Sequence, residues 1–427
     1  MLKRLLLVLC VLVPGLARAD LEFVVQSNKT GAQPIAVVPM AGNEGLPTDV
    51  SQVIEADLNR SGLFTTLPRT DMLERPSDPS QVDFRNWRAV SMESLVLGRM
   101  TREPGSDRVA TRFFLLDVFR GEQLIAYDMP AVTPDQLRYV AHQIADLIFE
   151  RLTGIPGVFN TKIAYVTSNG YGPARTYQLV ISDADGYNPR TIASSRETLM
   201  SPAWSPDRKK LAYVAFERGR SGVYVHDVAT GAVKRLISEK GINGSPAWSP
   251  DGTKLAVTLS FETNPDIYVF DIASGKRTRL TDHYGIDTEA AWSPDGQSIV
   301  FTSDRGGQPQ LYRMPSTGGD AQRITFQGKQ NLRANFAPDG KSLALVNVDE
   351  SRYRIGLLDL ASGNLRIVSD GNMDESPSFA PNSAVIIYAT QSRGAAELAT
   401  VTTDGRVKQR LRQPGDVREP AWSPFSR

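Results

Sequence analysis

One motif recurs along this chain at an almost fixed interval. Residues 201–207 read Ser-Pro-Ala-Trp-Ser-Pro-Asp, and residues 245–251 repeat them letter for letter. Variants stand at 289–295, 333–339, 376–381 and 419–424. The aromatic anchors are Trp204, Trp248, Trp292, Phe336, Phe379 and Trp422, spaced by 44, 44, 44, 43 and 43 residues. A unit of this length cannot bury a core alone and must stack against its neighbours. Within each unit the pattern predicts four short strands. Strand A carries the aromatic anchor. A Pro-Asp-Gly turn such as 250–252 follows, then strand B (Leu211 to Ala215, Leu255 to Leu259, Ile299 to Ser303), strand C (Val223 to Val228, Ile267 to Ile272, Leu311 to Met314) and strand D (Lys234 to Ile237). Four strands on a period near 44 predict a β-propeller.

The strand count predicts how the ring closes. Residues 162–167, Lys-Ile-Ala-Tyr-Val-Thr, form a B strand with no A strand before it, and Ala421 to Ser423 form an A strand with no B strand after it. The two halves complete one blade, making six blades with no free sheet edge.

The chain before residue 155 lacks the repeat. Ile35 to Pro39 is expected as a strand, and Thr48 to Asn59 as a helix with Val50, Val53, Ile54 and Leu58 on one face. Ser94 to Met100, Arg108 to Val118 and Leu124 to Asp128 are expected as an antiparallel meander. A helix over 134–152 is expected to start with a Thr133 cap, Pro134 at its first position and Gln136 completing a capping box, and to end at Gly154. The fold class expected is therefore multidomain: an N-terminal α/β domain over 34–155, then an all-β six-bladed propeller over 160–427.

The N-terminus reads as an export signal at 1–19. Lys3 and Arg4 precede a nine-residue apolar run, Leu5 to Val13, and Ala17-Arg18-Ala19 supplies small residues for cleavage before Asp20. The run is too short to span a bilayer, and no later apolar stretch reaches 18 residues, so no membrane span is expected in the mature chain. Cleavage removes Cys10, the only cysteine, and takes the formal charge from +1 to −2. Stability without a disulfide then rests on core burial. No basic surplus exists for nucleic acid.

These features together resemble the TolB family, periplasmic proteins of the bacterial Tol–Pal system. The resemblance covers the whole chain and is carried by the repeats, by residues 34–39 and 57–64, and by the junction at 155–167. It implies a periplasmic, non-enzymatic scaffold, expected as a monomer without cofactors. Its implied partners are the lipoprotein Pal, the inner-membrane protein TolA, outer-membrane proteins and imported bacteriocins. The implied role is in outer-membrane integrity and in envelope constriction during cell division.

The rival reading is an exported hydrolase or lyase holding substrate in the channel. It lacks a nucleophile elbow of the Gly-x-Ser-x-Gly type. His142, His226 and His283 fall in different elements, with His142 expected on a solvated helix surface. Asp183-Ala-Asp185-Gly186 resembles a fragment of a calcium loop, but it lacks the further carboxylates and occupies a C–D turn, so a turn is expected. The aromatic anchors recur once per repeat and are expected to pack blades rather than stack on sugars.

Binding has better support through the loops. A–B and C–D turns share one face of a propeller, and the longer, variable B–C and D–A connections share the other. Residues around the start of each A strand are expected to ring the channel mouth: Glu197, Thr198, Asn243, Ser245, Asp287, Thr288, Glu289, Arg333, Asp374, Glu375, Arg418 and Glu419. The family resemblance implies the Pal-binding surface there. The mature N-terminus, Asp20, Leu21, Glu22, Phe23, Val24 and Val25, alternates like a strand. A docked edge strand and a segment that adds to a partner's sheet both fit that pattern. The resemblance implies that residues 20–33 bind TolA.

Overall fold

The structure, a computed structural model, describes residues 24–27 and 31–425 except 263, 393 and 412. The export signal and Asp20 to Phe23 lie outside the described residues. In chain order the first elements are β1 (Val24–Ser27), β2 (Gln33–Val37), α1 (Val50–Arg60), β3 (Phe64–Thr66), α2 (Phe84–Ala89), β4 (Ser94–Arg102), β5 (Val109–Asp117), β6 (Glu122–Val132) and α3 (Leu137–Thr153). The domain sheet has the order β3-β2-β4-β5-β6. Its β4-β5-β6 part is the antiparallel meander that the patterning predicts, while β2 runs parallel to both β3 and β4. Helices α1 and α3 cover one face, burying Ile54, Leu58, Val140 and Ile144, and α2 presses Trp87 into the other.

Two local expectations need correction. Thr133 makes no side-chain cap: Pro134–Gln136 form a 3-10 turn, with the Gln136 N–H spent on the Thr133 carbonyl, and α3 proper starts at Leu137. Nor is His142 solvated. It is 3% exposed, because α1 packs along α3 and sets Asp57 against it. The predicted stop holds: Gly154 takes φ 75° and donates its N–H to the Glu150 carbonyl at 2.8 Å.

The propeller has six four-stranded blades. Blade 1 pairs its A strand, Asp416–Trp422, with its B strand, Lys162–Asn169; Trp422 lies opposite Ile163 and Ala421 opposite Ala164. Blades 2 to 6 follow over 199–237, 243–279, 287–323, 330–367 and 375–411. Apolar clusters lie between neighbouring blades, as where Val166 and Ile181 of blade 1 meet Trp204 and Leu211 of blade 2. Strand β1 adds antiparallel to the D strand of blade 6, with Val24 opposite Arg410 and Ser27 opposite Val407.

The repeated residues have defined work. The Ser249 hydroxyl donates to Asp251 Oδ1 at 2.5 Å, and the same oxygen accepts the Thr253 N–H at 3.0 Å, closing the A–B turn. Ser205/Asp207 and Ser293/Asp295 repeat it. Donation from Ser249 and from the Thr253 backbone holds the Asp251 carboxyl below the usual range. The Trp204, Trp248 and Trp292 Nε1–H groups each donate to an alanine carbonyl on the preceding A strand at 3.1 Å, tying blade to blade.

The α/β domain sits on the face of the A–B and C–D turns. Asn382 Nδ2 of blade 6 donates to the Pro156 carbonyl at 3.0 Å, and Arg138 of α3 pairs with Asp185 in the blade 1 C–D turn. The face of the B–C and D–A connections is left open. Among the described residues no helix is long and apolar enough to cross a membrane.

Candidate functional site

The channel is built from one backbone irregularity repeated in each blade. Every A strand shifts register against its B strand at the same place. The first residue of each bulge has a left-handed φ: Ser201 52°, Ser245 47°, Glu289 56°, Arg333 51°, Ser376 57° and Glu419 53°. Non-glycine residues resist this conformation by about 1–2 kcal/mol each, so the surrounding sheets impose it. Proline follows at 202, 246, 377 and 420, where a bulge leaves no ladder N–H to lose. Ser201, Ser245, Glu289, Arg333 and Ser376 line a channel cavity of about 340 Å³.

Three of the six bulge residues are charged. Arg333 Nη2 meets Glu419 Oε2 at 2.7 Å across the lumen, and Glu419 also accepts the Ser201 N–H at 2.7 Å. Burial opposes charge on Arg333, yet Glu419, Glu289 and Glu375 together hold its guanidinium above the usual range. Burial likewise opposes ionisation of Glu419, but Arg333 and Ser201 hold its carboxyl below the usual range. Glu289 accepts from the Thr302 hydroxyl at 3.1 Å.

The other predicted mouth residues divide into two groups. Asn243, Asp287 and Asp374 do not face the opening. Each is fully buried: Asn243 and Asp374 supply acceptors to D–A loop backbone, and Asp287 meets a side chain of the B–C connection. Asn243 Oδ1 accepts the Glu239 N–H, Asp287 pairs with Arg305 at 2.7 Å, and Asp374 accepts from Ser369, Thr390 and the Gly371 N–H. Glu197, Thr198, Ser245, Thr288, Glu375 and Arg418 keep some exposure. Of these, Glu197 accepts the Arg218 and Gly219 N–H groups, Thr288 meets Thr258 at 3.1 Å, and Arg418 reaches Glu375 at 3.4 Å. Val24 and Val25 stand in β1.

Sequence reasoning by charge missed the apolar part of this face. Ile242, Tyr284, Ile286, Phe326 and Met373 all lie in D–A connections and are exposed, Tyr284 to 84% and Phe326 to 73%. Ile242, Ile286 and Met373 each stand six residues before an aromatic anchor, and that recurrence was the available signal. The His283 ring lies tilted by 34° against Tyr284, centroids 4.1 Å apart, and accepts the Gly285 N–H, while His226 is buried in a C strand; no triad joins them. Asp183 and Asp185 form the expected C–D turn, with Asp183 paired to Lys162 and Asp185 turned toward α3.

A propeller with an α/β domain clasped to one face and an apolar, charged rim on the other defines the class: a two-domain β-propeller protein. The comparisons place the chain within that class. Residues 149–426 match the family model "TolB beta propeller domain", and residues 21–124 match "TolB amino-terminal domain". The chain is 57% identical to the Tol-Pal system protein TolB of Thioalkalivibrio sulfidiphilus, over 100% of this chain and 98% of that protein. It is 60% identical to its counterpart in Nitrosococcus oceani, over 95% and 94% respectively. The crystal structure of TolB from Acinetobacter baumannii superposes with a TM-score of 0.88 at 39% identity, covering 95% of this chain and 100% of that one. The chain belongs to the TolB family, non-enzymatic components of the Tol–Pal system.

Proposed function

We propose that the chain is cut before Asp20, resides in the periplasm, and there acts as a monomeric scaffold holding the lipoprotein Pal at the channel mouth. The segment starting at Asp20 engages TolA, so the molecule links two envelope proteins. That linkage serves outer-membrane integrity and constriction during division, and the same open face receives outer-membrane proteins and bacteriocins. The observation that carries this reading is the exposed apolar set Ile242, Tyr284, Ile286, Phe326 and Met373, interleaved with Glu289, Glu375 and Arg418 on the face opposite the α/β domain. Apolar anchors ringed by charge suit a protein surface rather than a small substrate.

The test is capture from solubilised envelopes followed by calorimetry with the purified partner. The scaffold should return a peptidoglycan-binding lipoprotein. Tyr284→Ala with Phe326→Ala should weaken that binding at least about tenfold at unchanged circular dichroism. Wild-type binding unaffected by these changes would move the site off this face.

A further inference from the structure

Charge is spread unevenly around the ring. Residues 190–242, from the outer strand of blade 1 through blade 2, hold ten Lys and Arg against five Asp and Glu. The α/β domain, residues 34–155, holds 12 against 17, and blades 3 to 5 with their connections, residues 243–374, hold 13 against 16. A chain of formal charge −2 from Asp20 onward thus carries a local surplus of five cations. Local charge decides close contacts, because fields fade within about 8 Å at physiological salt.

The five carboxylates of this stretch are engaged elsewhere. Asp207 accepts from the Ser205 hydroxyl and Asp227 from the Thr230 hydroxyl, each closing its own turn. Glu239 pairs with Arg277 of blade 3, and Glu197 accepts the Arg218 and Gly219 backbone N–H groups. Among the described residues only Arg235, 3.6 Å from Glu217, meets a carboxylate in an ion pair. Arg208 shows the deficit. Its Nη1 is buried with no hydrogen-bond partner among the described residues, and burial, partly offset by Tyr139, holds its guanidinium below the usual range.

The cations band the outside of the ring. Lys234 and Arg235 stand in the D strand of blade 2, Val233–Ile237, whose outer edge pairs with no further strand among the described residues. Arg190 opens the D strand of blade 1 and donates to the Val228 carbonyl of blade 2 at 2.9 Å, so the two outer edges adjoin. Lys209 and Lys210 extend the band toward the A–B turn, and Arg220 and Lys240 extend it onto the opposite face. All ten except Arg208 are exposed. Beside Lys234 and Lys240 in the chain stand Val233 and Ile242, also exposed.

We propose that this outer edge docks on a bilayer surface bearing anionic phospholipid. A five-residue strand spans about 17 Å, and the cations run along it and onto the loops at both ends. Long, exposed Lys and Arg side chains without fixed partners read charge density rather than shape, which suits a field of phosphate headgroups. An acidic protein segment is the less favourable occupant. Protein interfaces favour aromatic anchors in pockets, whereas the apolar side chains here are the aliphatic Val233 and Ile242, able to enter the headgroup layer. Docking by an outer edge sets the ring upright, with the channel axis along the membrane plane and the channel mouth accessible from the side.

The test is vesicle co-sedimentation of the processed chain beginning at Asp20, with neither Pal nor TolA present. Vesicles of phosphatidylcholine alone are compared with vesicles containing about 30% phosphatidylglycerol. Binding should require the anionic lipid and fall at least about tenfold between about 0.05 M and about 0.5 M salt. The triple variant Lys209→Glu, Lys234→Glu, Lys240→Glu should lose at least about tenfold in affinity. A control triple, Lys254→Glu, Lys276→Glu, Lys341→Glu, makes the same change in net charge at exposed sites of blades 3 and 5 and should lose less than about threefold. Circular dichroism and thermal unfolding check the fold of both; should the first triple misfold, the lipid and salt dependence of the wild type decides. Wild-type binding that ignores phosphatidylglycerol, or equal losses in the two triples, overturns the proposal. So does capture by soluble polyglutamate with no binding to either vesicle, which would assign the edge to an acidic protein segment.

Discussion

Arg333 of blade 5 and Glu419 of blade 1 form an ion pair 2.7 Å long across the channel, although 86 residues separate them in sequence. Both stand at the left-handed bulge position, and both are largely shielded from water. The pair therefore ties the closing strand to blade 5, past the intervening blade 6.

Removing one partner should cost more than removing both. Arg333→Ala leaves Glu419 facing the lumen without its counter-charge, and a loss of about 1–3 kcal/mol is expected. The double variant with Glu419→Gln should recover part of it, because the remaining amide still accepts the Ser201 N–H. Urea unfolding in a double-mutant cycle measures the coupling. A coupling of zero would make the pair incidental.

At the mouth, Glu289→Lys and Glu375→Lys should weaken Pal binding mainly through association rate, with the effect fading at high salt. Both positions are partly exposed, but both carboxylates also act on Arg333, so thermal unfolding should shift modestly downward while staying a single transition. Stopped-flow binding at low and high salt reads this directly. Equal rates for wild type and both variants at low salt would argue against a rim contact.

Deleting residues 419–427 removes most of the A strand of blade 1 and leaves the Lys162–Asn169 strand with one open edge. Cooperative unfolding should be lost or the protein should aggregate. A truncated chain with the same calorimetric transition as wild type would contradict closure by this strand.

Deleting residues 20–32 should abolish TolA binding and leave the propeller transition intact, since β1 only adds to the outer edge of blade 6. If the docked and TolA-bound placements compete, Pal affinity should also change, and the coupling must be equal in both directions. Calorimetric titrations in both orders test that equality.

Asp146 makes the fold sensitive to pH. Burial pushes its carboxyl up to about 7, against the lowering by the Phe159 and Asn160 N–H groups. A raised acid binds its proton more tightly when folded, so stability falls as pH rises from about 4 to 7. Asp146→Asn should flatten this slope in urea titrations. Gly157→Ala should destabilise at every pH, because its Cβ would come 2.5 Å from the Asp146 Cα.

The propeller was legible because its signals are local and repeated. The Ser-Asp turn and the aromatic anchor act within a few residues, and six copies average out exceptions. Such exceptions exist: Arg208 and Ser383 take φ near 60° where Gly252, Gly296 and Gly340 stand in the other blades. The α/β domain was legible as elements but less so as a sheet, since nothing local announces that β2 pairs in parallel with β3. The rim was half legible. Polarity drew attention to Asn243, Asp287 and Asp374; Asn243 and Asp374 serve the backbone of their loops, and Asp287 pairs with Arg305. The place of His142 could not be read at all, because its surroundings come from Asp57 and Asp185, 85 and 43 positions away. Only the packed domains bring them together.

Blade 1 draws its inner strand from residues 416–422 and its other three from residues 162–195. A chain delivered N-terminus first therefore carries five complete blades and an unfinished one until residues 416–422 emerge. The ring cannot shut early, and a product that stops short of Trp422 keeps a raw sheet edge for proteases to find. Closure thus checks for its own last strand: only a chain that has reached Trp422 can hide its seam.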